Sequence, residues 1–433
     1  MEWCLANRAP ARSSSDISRR PRAPWAPAAF AVALATSLIF GAVAQAAPPK
    51  PRTDVWAATW ESSPEPPRAP LITLAGQTVR QIAHVSLGGI YVRVKLSNEF
   101  GDAPLTIGTA HIALAGPAGA AIQPDTDRAL TFSGKPGITI PVGARVLSDP
   151  VSLTVPAMSN VAVSVYFPVA TGAVTENYFS MQTGYMAAGD VTNAPDMPGA
   201  ATTTQRVILT GIDVSAGSDT KVVVALGDSL TGGFGSTVDA NHRWTDLLSA
   251  RLATRKGGGP PIGVVNAGIG GNRLLHDFFG PNALARFDRD VLAQPSVGYL
   301  IVLLGINDFG LPGGRNLPQE EVTSDDVIAG YRQLIQRANS YGIKVFIATI
   351  PPFGPLPQRP GYYSDAAETK REAVNDWIRT NKEDQGYIDF EVALRDPKNH
   401  IRMLGAYDSA DHLDPNDAGY AVMANAIEMR LFQ

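Results

Sequence analysis

The sequence predicts an α/β domain built on a parallel sheet, preceded by an antiparallel β-sandwich. Two observations carry this. Residues 54–214 repeat their apolar positions every two residues, and residues 221–433 alternate apolar runs with helical stripes. A third separates them: Ser215-Ala216-Gly217-Ser218-Asp219-Thr220 is a small, polar linker.

In the first half, Ile90, Val92, Val94 and Leu96 alternate with Tyr91, Arg93 and Lys95, the pattern of a strand buried on one face. Val161, Val163, Val165 and Phe167 repeat it, as do Val151, Leu153 and Val155. Turn signals such as Asn98-Glu99-Phe100-Gly101-Asp102 and Asp149-Pro150 divide the strands, and no helical stripe is sustained. Short strands punctuated by Gly and Pro make a sandwich.

The second half predicts strands at 222–226, 262–265, 299–304, 343–350 and 387–390. Amphipathic helices are expected near 244–255, 282–293, 324–340 and 365–382, with a last one at 415–431. Ser324 is the expected N-cap of the third, with Asp325 and Asp326 on the positive end of its dipole and Gly342 to stop it. This alternation builds a three-layer, flavodoxin-like α/β/α fold with ligands at the carboxyl ends of the strands.

The chain has 433 residues, 45% hydrophobic and 18% charged, far from the composition of disordered chains. With 36 basic and 40 acidic residues and no basic block past the start, recruitment of nucleic acid by bulk charge is not expected. Residues 1–46 read as an export signal. Arg8, Arg12, Arg19, Arg20 and Arg22 precede an apolar centre at 30–43, which closes on Ala44-Gln45-Ala46. The alternative is a membrane anchor, which Pro24 and Pro27 shorten. Cleavage would remove five basic and two acidic residues, taking the net charge from −4 to −7, and would leave no membrane span. The single cysteine, Cys4, would leave with it. A periplasmic or extracellular protein without disulfides, cysteine nucleophiles or thiolate metal sites is therefore expected.

Chemistry concentrates at three predicted strand ends. The first ends in Gly227-Asp228-Ser229-Leu230, which places a serine where a nucleophile is useful. It is not Gly-x-Ser-x-Gly, since Thr231 stands where the second glycine belongs, and no phosphate-binding Gly-Lys-Ser follows. The second ends in Asn266-Ala267-Gly268-Ile269-Gly270-Gly271-Asn272-Arg273, whose glycines leave backbone N–H groups unhindered. The third ends in Gly305-Ile306-Asn307-Asp308, with an amide side chain at the tip.

Those three motifs, with Asp411-His412-Leu413-Asp414-Pro415-Asn416 near the C-terminus, resemble the GDSL or SGNH hydrolase family over residues 220–433. The resemblance implies that Ser229 is the nucleophile. It also implies an oxyanion hole made by the N–H groups of Ser229 and Gly271 and the Asn307 amide. The first half resembles, more loosely, the β-domain of exported relatives of acetylxylan esterases and arylesterases, through phrases such as Arg93-Val94-Lys95-Leu96-Ser97-Asn98.

The family ends in Asp-x-x-His-Pro, and here the sequence departs: Asp414 stands at the histidine position and Asp411 at the aspartate position. An ordinary aspartate, with a pKa of about 3.9, is too weak a base for a serine hydroxyl near neutrality. His412 lies two residues away, and in an extended loop residues two apart face the same side. His412 is therefore the expected base, oriented by Asp411, Asp408 or Asp414. His84, His111, His242, His276 and His400 are scattered, with no metal-binding pair. Of the aromatics just past strand ends, Phe278, Phe279, Phe309 and Phe353 are candidates for an apolar cleft wall, and Asp389 for a turn anchor.

The reading is a serine carboxylic-ester hydrolase using an acyl-enzyme on short, acetyl-type esters of aryl or carbohydrate alcohols, with no metal or organic cofactor. Its rivals are a carbohydrate-binding or cell-surface module with a degenerate hydrolase domain, and an acyltransferase sharing the acyl-enzyme.

Overall fold

Alternation in the first half becomes two antiparallel sheets. In one, the Gly89–Ser97 strand lies between Leu209–Ala216 and the short strands Arg145–Leu147 and Val151–Val155, with Val55–Glu61 beyond Leu209–Ala216. Val92, Val94 and Leu96 are fully buried while Ile90 is exposed, so the alternation predicts the burial except at its first residue. In the other sheet the order is Ala201–Thr203, Gly184–Ala188, Gln77–His84, Asn160–Phe167, Thr109–Leu114 and Arg128–Ala129. Inner faces of both sheets contribute to one apolar cluster.

This description comes from a computed structural model and covers residues 55–255 and 258–433. The expected export signal at 1–46 and Cys4 lie outside the described residues. Among those described, no helix is long and apolar enough to cross a membrane.

In the second half five strands run parallel in the order Ile262–Gly268, Lys221–Gly227, Val297–Leu303, Lys344–Ala348, Tyr387–Ile388. Counted along the chain this is 2-1-3-4-5, so the order reverses between the first and third strands, where open parallel sheets hold ligands. The Lys221–Gly227 strand, with Val222, Val223, Val224 and Leu226 all fully buried, is paired on both sides. Leu209–Ala216 runs through the start of the expected linker, so only 217–220 turn the chain between the two kinds of sheet.

Helices form at Trp244–Ala253, Ser324–Ser340, Asp365–Thr380 and Asp417–Ala426. The expected N-cap is off by one. Thr323, not Ser324, accepts the Asp326 N–H, and Asp326 returns to the Thr323 N–H, because that reciprocal pair satisfies two orphan donors. The expected 282–293 helix is α only over Ala283–Phe287 and widens to a π turn over Asp288–Leu292. The expected strand at 387–390 ends at Ile388, because Asp389 caps a short helix, Phe390–Leu394.

Candidate active site

Ser229 opens a single helical turn directly off the Lys221–Gly227 strand. Asp228 is its N-cap, with Oδ1 accepting the Leu230 N–H at 3.0 Å, and Gly233 ends the turn at φ 90°. Burial pushes the Asp228 carboxyl up to about 7. A second tie comes from Asn266, whose amide donates to the Thr231 carbonyl at 2.6 Å and accepts from the Gly268 N–H at 2.9 Å. The serine turn and the neighbouring loop are thus fixed to each other.

That neighbouring loop presents Gly271 at φ 77°. A Cβ there would lie 2.4 Å from the Phe279 ring, so neither the conformation nor the space admits a side chain. Asn307, in the Ile306–Gly314 helix off the third strand, is 3% exposed and held on both sides. Its Nδ2 donates to the Asn272 carbonyl at 3.1 Å, and the buried Tyr362 hydroxyl donates to its Oδ1 at 2.8 Å. The latter bond fixes which way the amide faces. Asp308, one residue on, accepts the Leu274 and Leu275 N–H groups at 2.8 and 3.0 Å and clamps the same loop from below.

Beneath the first two tips lies Arg286, 1% exposed. It donates to the Gly227 and Ala267 carbonyls at 2.8 and 2.7 Å, to Asn272 Oδ1 at 3.0 Å and to Asp290 Oδ2 at 2.8 Å. A buried guanidinium satisfied in this way ties those two tips to each other. Neither Tyr362 nor Arg286 carries a local signal. Each acts across more than ten residues of chain, and only an aligned family could have pointed to them.

The C-terminal loop decides the rest. Ser229, Gly271, Asn307 and Asp414 line one pocket of about 590 Å³, and His412 does not. Asp414 is 1% exposed, its carboxyl lies beside Ser229 in the pocket, and its Oδ1 has no hydrogen-bond partner among the described residues. Burial, then the nearby Asp411 charge, raise the Asp414 pKa well above the usual carboxylate range; the Ser229 hydrogen bond opposes them. His412 turns the other way. Its φ is 63°, its side chain is 44% exposed, and its Nδ1 lies 2.5 Å from Asp408 Oδ2. The extended-loop expectation therefore does not describe this loop, because a left-handed residue breaks the two-residue periodicity. Asp411 does not reach His412 either. Its Oδ1 accepts the Leu413 and Asp414 N–H groups at 2.9 and 2.8 Å, and so it shapes the turn that delivers Asp414.

Other candidates separate cleanly. His242 pairs with Asp417 at 2.8 Å, and neither His242 nor His276 lines the pocket. Phe279 forms part of its wall, whereas Phe309 and Phe353 are core residues and Phe278 is exposed. Asp389 caps its helix and pairs with Arg379. The sequence reading did not foresee that the first half builds the opposite wall. Arg68, Tyr178 and Phe179 line the pocket, and Asn177 ties that segment to the Gly268 carbonyl at 3.1 Å.

A serine hydroxyl against a buried carboxyl, facing backbone and amide donors at the tips of a parallel sheet, is equipment for acyl transfer. Residues 225–422 match the model of the GDSL-like Lipase/Acylhydrolase family. That segment is therefore a GDSL-like hydrolase domain, which supports a carboxylic ester hydrolase. No curated protein sequence matches it. Among solved structures it is similar to an aryl esterase of M. smegmatis, at 17% identity and TM-score 0.38, covering 48% of this chain and 95% of that one. A carbohydrate acetylesterase from Sinorhizobium meliloti gives 17%, 0.37, 48% and 95% in the same order. A GDSL-like lipase from Bacteroides thetaiotaomicron gives 19%, 0.37, 49% and 88%.

Proposed function

We propose that the protein is an exported esterase that removes short, acetyl-type acyl groups from aryl or carbohydrate alcohols through an acyl-enzyme on Ser229. In this reading residues 54–214 are a β-sandwich domain and 221–433 a three-layer α/β/α hydrolase domain. The observation that carries it is the convergence of Ser229, Gly271, Asn307 and Asp414 on one pocket.

The Ser229 Oγ attacks the ester carbonyl while its proton passes to the Asp414 carboxylate. The carbonyl oxygen becomes an oxyanion held by the Ser229 and Gly271 N–H groups and the free Asn307 amide proton. Collapse breaks the bond to the alcohol oxygen, which takes the proton back from Asp414 and leaves. Water then attacks the acyl-serine, giving a proton to Asp414, and collapse breaks the bond to the Ser229 Oγ, which takes that proton back as the acid leaves. An ordinary aspartate could not serve. The burial that raises the Asp414 pKa makes its carboxylate a stronger base, the usual way a carboxylate is fitted to this work.

A second reading keeps His412 as the base. The Asp408–His412 pairing is the carboxylate–imidazole contact that fixes a tautomer in a triad, but the loop would have to carry the ring to Ser229. The proposal is tested by turnover of 4-nitrophenyl acetate together with labelling by a fluorophosphonate. Wild-type protein should hydrolyse the ester and be labelled at Ser229. Absence of both in folded protein would favour a non-catalytic binding module.

A further inference from the structure

The pocket wall is unusually cationic for a chain with a net charge of −4. Arg68, Arg315 and Arg359 all line it, and among the described residues Asp414 is the only carboxyl that does. Two of the three are engaged. Arg68 pairs with the buried Glu65, and Arg359 lies 3.4 Å from Asp411 Oδ2. Arg315 makes no side-chain hydrogen bond or ion pair among the described residues. Its guanidinium sits 5.7 Å from the Phe279 ring centroid, and that of Arg68 sits 4.2 Å from the same ring. An aromatic face flanked by two guanidiniums, one of them without an anionic partner, suits a flat or ring-shaped group that carries a negative charge.

We propose that the enzyme selects carboxylate-bearing esters, with the ring of the substrate against Phe279 and its carboxylate on Arg315. A planar carboxylate matches the fork of the guanidinium, and Arg68 and Arg359 add long-range attraction that also draws the anion to the mouth. The inference rests on the esterase reading for its meaning, yet it concerns binding and can be tested without turnover.

The test uses the Ser229→Ala protein, which removes the nucleophile, and two ligands: 4-acetoxybenzoate and its uncharged methyl ester. Calorimetric titration in 20 mM salt should show the carboxylate binding about tenfold tighter, the size of one good charge-assisted contact. The preference should shrink severalfold in 0.5 M NaCl and disappear when Arg315→Gln is added. Arg332→Gln, on the Ser324–Ser340 helix and paired with the exposed Glu383 away from the pocket, should leave it in place. Equal or tighter binding of the methyl ester would overturn the inference, as would a preference that survives Arg315→Gln. Failure of wild-type protein to hydrolyse either ester would count against the esterase reading and not against charge selection.

Discussion

Two acid–base groups lie two residues apart in the C-terminal loop, and they live in opposite environments. The His412–Asp408 pair has the chemistry expected of a catalytic dyad but points outward, with the imidazole 44% exposed. Asp414 has the wrong side chain by ordinary standards, yet it is buried and lines the pocket beside Ser229. Residue type alone favours the first. Burial favours the second, because removing a carboxylate from water raises its affinity for a proton to where it can compete for one. The lesson is that basicity belongs to an environment, and the environment is set by the Asp411 turn that tucks position 414 inward.

The comparison predicts a graded set of losses. Ser229→Ala should cost the most, about 10⁴-fold or more in kcat/KM for 4-nitrophenyl acetate, since nothing else in the pocket replaces its oxygen. Asp414→Asn, which keeps the shape and removes the proton acceptor, should cost about 10³-fold. Asp414→His supplies an imidazole at the same place and should not share that loss. A variant at 414 indifferent to both changes would break the comparison at its stronger end.

Asn307→Ala should follow at about 10²–10³-fold, the usual cost of one oxyanion donor, with KM little changed because the donor acts on charge that develops in the transition state. The pH profile sharpens the same contrast. Asp414 must be ionised to accept the proton, and its pKa is raised, so kcat/KM should fall with acidity while the pH is still well above 4. His412→Ala should leave that acid limb in place. An acid limb at ordinary aspartate pH would mean that burial does not tune the base.

Much of this architecture is legible in the sequence because it is local. Val92, Val94 and Leu96 report their burial through alternation, and Val222 to Leu226 through an unbroken apolar run. Three strand tips in order point to Ser229, to the glycine-rich loop 268–271 and to Asn307, while the choice of Gly271 within that loop comes from the family resemblance. The base is not legible in this way. Whether 412 or 414 faces inward depends on a left-handed residue and on a carboxylate capping two N–H groups, and neither leaves a periodic trace. Tyr362 on Asn307, Arg286 beneath the tips and Arg68 across the pocket are contacts between residues 14 to 202 positions apart, visible only once the chain is folded.

The most direct test sets two single variants side by side. The kcat/KM of Asp414→Asn and of His412→Ala should be measured on 4-nitrophenyl acetate at one pH, with folding of both checked by thermal melting. If Asp414 is the base, Asp414→Asn loses about 10³-fold while His412→Ala stays within about threefold of wild type. A His412→Ala protein as impaired as Ser229→Ala, beside an Asp414→Asn protein near wild type, would contradict the account and return the base to the imidazole.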